Sequence, residues 1–159
     1  MTDRVATSAQ NMKQETVDSL QELMYALTDS VKYLGEASDS IEDDHVKNVF
    51  RKIADDRKNI DDTIGGFITL ADERPEEEGT WLGSLRTCWT NFRAGLNSGD
   101  PTVVLIEAER AEDSLKAKFE SVLPEVAGNP INDKLLGYYK TVKSGHDQIL
   151  ALRNAYQNA

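Results

Sequence analysis

The chain has 159 residues, a length that suits one domain with its own hydrophobic core. Its 28 Asp and Glu outnumber 18 Lys and Arg, and the resulting net charge of −10 argues against binding to nucleic-acid phosphates or to anionic membranes. Because no apolar run approaches the roughly 20 residues of a membrane span and the N-terminal stretch lacks the apolar segment of a signal peptide, we expect a cytoplasmic protein.

Apolar residues at steps of three and four predict two long helices in the first half of the chain. Residues 1–14 have no such period, so we expect a flexible leader before one domain over 15–157. The first helix is expected over about 15–38 and the second over about 43–71. The inward residues of the first are Val17, Leu20, Met24, Leu27, Val31 and Leu34. Those of the second are Val46, Phe50, Ile53, Arg57, Ile60, Ile64 and Phe67.

Three further helices are predicted after the proline- and glycine-containing charged stretch 72–79. The first of them is short, about 80–97, with Trp81, Leu85, Cys88, Trp89, Phe92 and Leu96 inward. Gly99-Asp100-Pro101 then ends one helix and starts the next, because Gly suits a helix C-terminus, Asp an N-cap and Pro the first turn. The last two helices are expected over about 101–123 and 131–157. The inward residues of the first are Val104, either Glu107 or Ala108, Ala111, Leu115, Phe119 and Val122. Those of the second are Leu135, Tyr139, Val142, His146, Ile149, Leu152 and Tyr156.

These elements indicate an all-α fold. The four longer segments, 15–38, 43–71, 101–123 and 131–157, suit a four-helix bundle. The segment at 80–97 is then an additional short helix between the second and third bundle helices. No segment has the period-two pattern of a strand.

Three polar residues interrupt the apolar stripes: Arg57, Glu107 and His146. One interpretation is a structural polar cluster in which an Arg57–Glu107 ion pair lies beside His146, because a buried charge is costly without a partner. The other is a metal site built from carboxylates and histidine.

The sequence lacks the Glu-x-x-His spacing of dinuclear metal bundles at a core position. The residue three before His146 is Lys143, and Glu42, three before His45, lies where a helix starts and is better explained as a cap. Cys88 is the only cysteine, so an internal disulfide and a cysteine-based zinc site are excluded. No glycine-rich nucleotide-binding loop is present.

Two motifs resemble a bacterial family of ferritin-like four-helix-bundle proteins of unknown function. The first is Trp89-Thr-Asn-Phe-Arg-Ala-Gly-Leu-Asn-Ser-Gly-Asp100, and the second, Glu107-Ala-Glu-Arg-Ala-Glu-Asp113, fits the pattern E-x-E-R-x-E-D. The segments 50–57 and 146–153 are also similar to the family, and the resemblance covers roughly residues 17–155.

The resemblance implies a ferritin-like bundle with candidate metal ligands Glu107, Glu109, Glu112 and His146, and iron or manganese as the metal. Arg57 and Arg110 are expected to form a structural polar core, in which an arginine replaces the metal as the counter-charge of the carboxylates. Two positions depart from the family pattern: the segment 29–33 is Asp-Ser-Val-Lys-Tyr where the family has a carboxylate near D-G-x-x-G-[FY], and Thr63 lies where a glutamate is common.

Two functions therefore remain open. The incomplete ligand set favours a non-catalytic bundle with an interaction or stress-associated role, in which the chain could form a homo-oligomer. The alternative is a metal-binding or oxidase-like ferritin relative with a carboxylate and histidine site. Whether the chain is an enzyme is open between these two, and the non-catalytic interpretation is favoured.

Overall fold

A computed structural model describes the backbone of residues 14–71, 80–128 and 130–158, and the side chains of residues 18–60, 86–128 and 130–158. The leader predicted over 1–14 lies outside the described residues except for Gln14. Every regular element in the described part of the chain is helical, which confirms the all-α prediction. The helices are α1 (Gln14–Ser40), α2 (Asp44–Ala71), α3 (Thr80–Ser98), α4 (Pro101–Val122) and α5 (Ile131–Gln157), with a 3-10 helix at Leu123–Val126.

Local sequence signals explain where the described helices start. Asp43 precedes α2, and its Oδ1 accepts hydrogen bonds from the backbone N–H groups of His45 at 2.9 Å and Val46 at 3.1 Å. Asp100 is the N-cap of α4, where its carboxylate accepts from the N–H of Thr102 at 2.9 Å. These bonds satisfy N–H groups that have no partner within the helix.

The four long helices, α1, α2, α4 and α5, surround one apolar core. Helix α1 packs against α2 and α4, and α5 packs against the same two, so α2 and α4 lie diagonally across the core from each other. Most of the predicted inward side chains that the structure describes are buried: Leu20, Met24, Leu27, Leu34, Val46, Phe50, Ile53, Arg57, Ile60, Trp89, Phe92, Val104, Ala108, Ala111, Leu115, Phe119, Val122, Leu135, Val142, His146, Ile149 and Leu152. The others are half-buried: Val31, Cys88, Leu96, Glu107, Tyr139 and Tyr156. The predicted inward positions of Val17, Ile64, Phe67, Trp81 and Leu85 lie outside the described side chains.

The additional short helix is present as α3, which packs against α1 and α4. Its Trp89 is fully buried and stacks on Tyr33 of α1, with ring centroids 5.3 Å apart. Phe92, also buried, meets Trp89 edge-on at 5.5 Å and Phe50 of α2 at 6.0 Å. Aromatic contacts therefore join α3 to the core.

No described helix is long and apolar enough to cross a membrane.

Candidate functional site

A buried ion pair connects α2 to α4 through the core. Arg57 continues the stripe of Phe50 and Ile53 on α2, and Glu112 lies on the inward face of α4. Both side chains are 0 % exposed. The two Nη groups of Arg57 donate to the two carboxylate oxygens of Glu112, so the contact is bidentate. Each charge supplies the counter-charge that makes burial of the other tolerable.

Glu107 is not the partner of Arg57, so the predicted Arg57–Glu107 pair is wrong. Ala108 takes the inward position next to it, and a helix turns about 100° per residue, so Glu107 is rotated about 140° away from Glu112. Glu107 instead accepts a hydrogen bond from Arg110 at 3.3 Å on the same helix. The side chain of Arg110 is 63 % exposed, so it does not belong to a polar core, contrary to expectation.

Gly145 of α5 makes room for the buried arginine. A Cβ atom at this position would lie 3.1 Å from Nη2 of Arg57 and 3.2 Å from Cγ2 of Ile53. A side chain here would therefore compete with Arg57 for space.

A second polar group lies between α4 and α5. Glu109, Asp113 and His146 each offer one ligand atom, and these atoms all lie within 4.8 Å of one another. We call this set the histidine–carboxylate cluster. Glu109 and Asp113 are four residues apart on α4 and therefore share one face of the helix, while His146 approaches from α5. Nε2 of His146 is 3.6 Å from Oε1 of Glu109 and 3.4 Å from Oδ1 of Asp113.

His146 is almost buried, and its inner nitrogen has no hydrogen-bond partner. Its side chain is 8 % exposed, and Nε2 is shielded from solvent without an acceptor or donor in range and geometry. By contrast, Asp113 is 67 % exposed, so the cluster opens to solvent on that side. A polar atom buried without a partner normally costs free energy, which makes this nitrogen the least satisfied atom of the cluster.

Asp147 orients the imidazole from the opposite side. Nδ1 of His146 is 3.2 Å from Oδ1 of Asp147, and this contact is a hydrogen bond when Nδ1 carries the proton. The same bond, helped by Lys143, holds the pKa of the Asp147 carboxyl below its usual range. When Nδ1 carries the proton and Nε2 does not, the lone pair of Nε2 faces two carboxylates, and either a proton on Nε2 or a metal cation between the three atoms would relieve the repulsion.

Arg153, about two turns after His146 on α5, pairs with Glu109 of the cluster. Its Nη1 lies 3.1 Å from Oε2 of Glu109, the carboxylate oxygen that does not face His146. Glu109 is thus held between a guanidinium on one oxygen and the imidazole on the other.

The structure brings together two of the four predicted metal ligands, Glu109 and His146. Glu112 is paired with Arg57 and Glu107 with Arg110, so neither faces the cluster. Asp113 is not among the ligands predicted from the sequence, although the structure places it beside His146. Its four-residue spacing from Glu109 was the available signal, but many acidic pairs on exposed helix faces share that spacing.

Two cavities lie between α2 and α5, of about 260 and 640 Å³. Their linings contain lysine, aspartate and polar uncharged side chains but neither a histidine nor a cysteine. The histidine–carboxylate cluster lines neither cavity.

The chain belongs to a family described as Domain of unknown function (DUF2383), whose sequence profile matches residues 15–125. The matched range contains Arg57, Glu109, Glu112 and Asp113 and ends before α5, which carries His146. No curated protein and no solved structure matches the chain.

Proposed function

We propose that this DUF2383 member is a ferritin-like four-helix bundle with an additional short helix, and that it binds one divalent transition-metal ion through Glu109, Asp113 and His146. The observation that carries the proposal is the unpartnered Nε2 of His146, which is almost buried and faces two carboxylates. A metal ion between these three atoms would neutralise the carboxylates and use the lone pair of the imidazole.

The mixed nitrogen and oxygen ligands favour a metal ion of intermediate softness. Imidazole nitrogen suits iron and zinc, while carboxylate oxygen suits manganese and magnesium, so one histidine and two carboxylates together favour iron, manganese or zinc. Asp147, which holds Nδ1, is the kind of carboxylate that orients metal-binding histidines in other proteins. The exposed Asp113 provides an entry path from solvent.

Ferritin-type oxidase chemistry is not part of the proposal. A dinuclear centre needs about six protein ligands directed into the bundle core. The diagonal across this core is occupied by the Arg57–Glu112 pair, in which the arginine supplies the counter-charge that a metal would otherwise supply. We therefore propose a binding role without catalysis.

An interaction role, including self-association, is the second candidate, and it is compatible with metal binding. The large hydrophobic side chains exposed on the described surface are Val103 and Leu136. Because two such residues do not form an extended apolar patch, a partner of this surface would bind through polar contacts.

Equilibrium dialysis of the tag-free full chain against Mn²⁺, Zn²⁺ and, without oxygen, Fe²⁺ tests the metal proposal. We expect about one bound ion per chain, loss of that ion in H146A, and weaker binding by about 10–100-fold in D147A, which removes the group that orients the imidazole. The matched control is H45A, because His45 is exposed and outside the cluster. Equal binding by H146A and the unmodified chain would refute the proposal.

A further inference from the structure

Arg153 is placed to respond to any cation in the histidine–carboxylate cluster. It follows His146 by seven residues on α5, so both side chains leave the same face of the helix about two turns apart. Its Nη1 is 3.1 Å from Oε2 of Glu109, and the side chains of Arg153 and Glu109 are 27 % and 16 % exposed. At this degree of burial the attraction between them is screened less than in a surface pair.

The guanidinium is not fully satisfied in this position. Nε of Arg153 is buried and has no hydrogen-bond acceptor, while Nη2 donates to Asn154 at 3.2 Å. An arginine that moved into solvent would regain a partner for Nε. Displacing Arg153 from Glu109 therefore costs less than displacing an arginine whose donors are all bonded.

We propose that Arg153 is a resident counter-ion that competes with the metal for Glu109. This inference rests on the proposed metal binding. When the site is empty, Arg153 neutralises one oxygen of Glu109. When a divalent ion binds the other oxygen, the guanidinium and the ion repel each other across one carboxylate. Arginine does not lose its proton in proteins, so the repulsion is relieved by movement of Arg153 toward solvent.

Two consequences follow. The first is that metal affinity is lower than the three ligands alone would give, because each binding event must displace a cation. The site is then suited to reversible exchange rather than to permanent structural metal. The second is that metal binding changes the side-chain conformation of Arg153, near the C-terminal end of α5.

Calorimetric titration with Zn²⁺ of the full chain and two variants tests the competition. R153M removes the charge and keeps much of the apolar length, whereas R153K keeps the charge. We expect R153M to bind Zn²⁺ at least about tenfold more tightly than the unmodified chain, a change equivalent to about 1.4 kcal/mol, and R153K to stay within about threefold of it. The control R93M removes an arginine that pairs with Glu36, outside the cluster, and should leave the affinity unchanged.

The outcomes separate the two claims. If neither the unmodified chain nor R153M binds Zn²⁺ through His146, the proposed metal function fails. If the unmodified chain binds and a folded R153M, checked by circular dichroism, binds no more tightly, only the competition is overturned. Equal tightening in R153K and R153M would also overturn it, because charge would then not set the affinity.

A spectroscopic measurement provides a second, independent readout. The Nε–H resonance of Arg153 is identified in a nitrogen–proton NMR spectrum by its absence from the spectrum of R153M. On saturation with Zn²⁺ it is expected to shift and to exchange faster with water, because the buried Nε would reach solvent. An unchanged resonance in the Zn²⁺-loaded protein would contradict the displacement of Arg153.

Discussion

Arg57 and Glu112 are the residues on which the interior of this protein depends most. Both have no exposed side-chain surface, and they form a bidentate pair across the diagonal of the core, although Nε of Arg57 is buried without a hydrogen-bond partner. An ion pair of this kind need not add stability compared with a well-packed apolar pair of similar volume, but each member depends strongly on the other.

We therefore expect R57M and E112L each to lower the free energy of unfolding by about 3–5 kcal/mol, because each leaves one charge buried without its partner. The double variant R57M/E112L, which removes both charges, should recover much of that loss. Urea denaturation monitored by circular dichroism measures all three. Losses that simply add in the double variant would mean that the two side chains do not depend on each other.

Gly145 and Gly137 form a matched pair on α5. Alanine stabilises a helix interior by about 0.5–1 kcal/mol relative to glycine, and G137A should gain up to this amount because a Cβ there would meet nothing within 4 Å. G145A should instead lose about 1–3 kcal/mol, because its Cβ would press on Arg57 and Ile53. Thermal unfolding of both variants tests this, and a stabilising G145A would show that Arg57 has room to move.

For single residues, the sequence predicts which polar side chains lie in the apolar interior better than it predicts which residues they pair with. The break in the α2 stripe is enough to place Arg57 in the interior. Its pairing with Glu112 instead of Glu107 depends on the rotation of α4 about its axis, which places Ala108 inward. The approach of Asp113 to His146 depends on which face of α4 meets α5, and no local pattern encodes that.

At the scale of single elements, the helices could be predicted nearly in full because their periodicity and their end signals agree. Gly99 ends α3 with a φ of 73°, a conformation that favours glycine, and Asp100 and Pro101 then begin α4. Helix α4 ends at Val122, within one residue of the predicted end at about 123. The 3-10 helix that follows over Leu123–Val126 has no counterpart in the prediction from sequence.

The cap of α4 gives a prediction for this scale. D100A should lower the free energy of unfolding by about 1 kcal/mol, because the N–H of Thr102 loses its acceptor. D100N keeps an acceptor at the same position and should be nearly neutral. Chemical denaturation of both proteins makes the comparison. A D100A protein as stable as the unmodified chain would mean that water replaces the cap without cost.

At the scale of the whole molecule, the all-α fold and the place of the extra helix follow from the sequence, but the packing of that helix does not. Helix α3 carries apolar residues that could meet any of its neighbours, and only the tertiary structure shows Trp89 stacked on Tyr33 of α1. The candidate site also depends on tertiary structure. Glu109 and Asp113 lie on α4 and His146 lies on α5, and the 3-10 helix Leu123–Val126 is part of the connection between these two helices.

The negative net charge of the molecule and the proposed metal site both favour the binding of cations. A chain with a net charge of −10 raises the local concentration of cations near its surface, and the cluster offers them an opening at Asp113. The surface charge alone gives weak and salt-sensitive binding, whereas a site with an oriented histidine gives stoichiometric binding. The location of the bound ion distinguishes these two cases.

The most direct test of metal binding by the histidine–carboxylate cluster is therefore an anomalous difference map from crystals of the full chain grown with Zn²⁺. We predict a peak about 2.0–2.2 Å from Nε2 of His146 and from carboxylate oxygens of Glu109 and Asp113. The Arg57–Glu112 pair should be unchanged in the same crystals. Anomalous peaks only at surface carboxylates elsewhere, with none beside Nε2 of His146, would contradict the account.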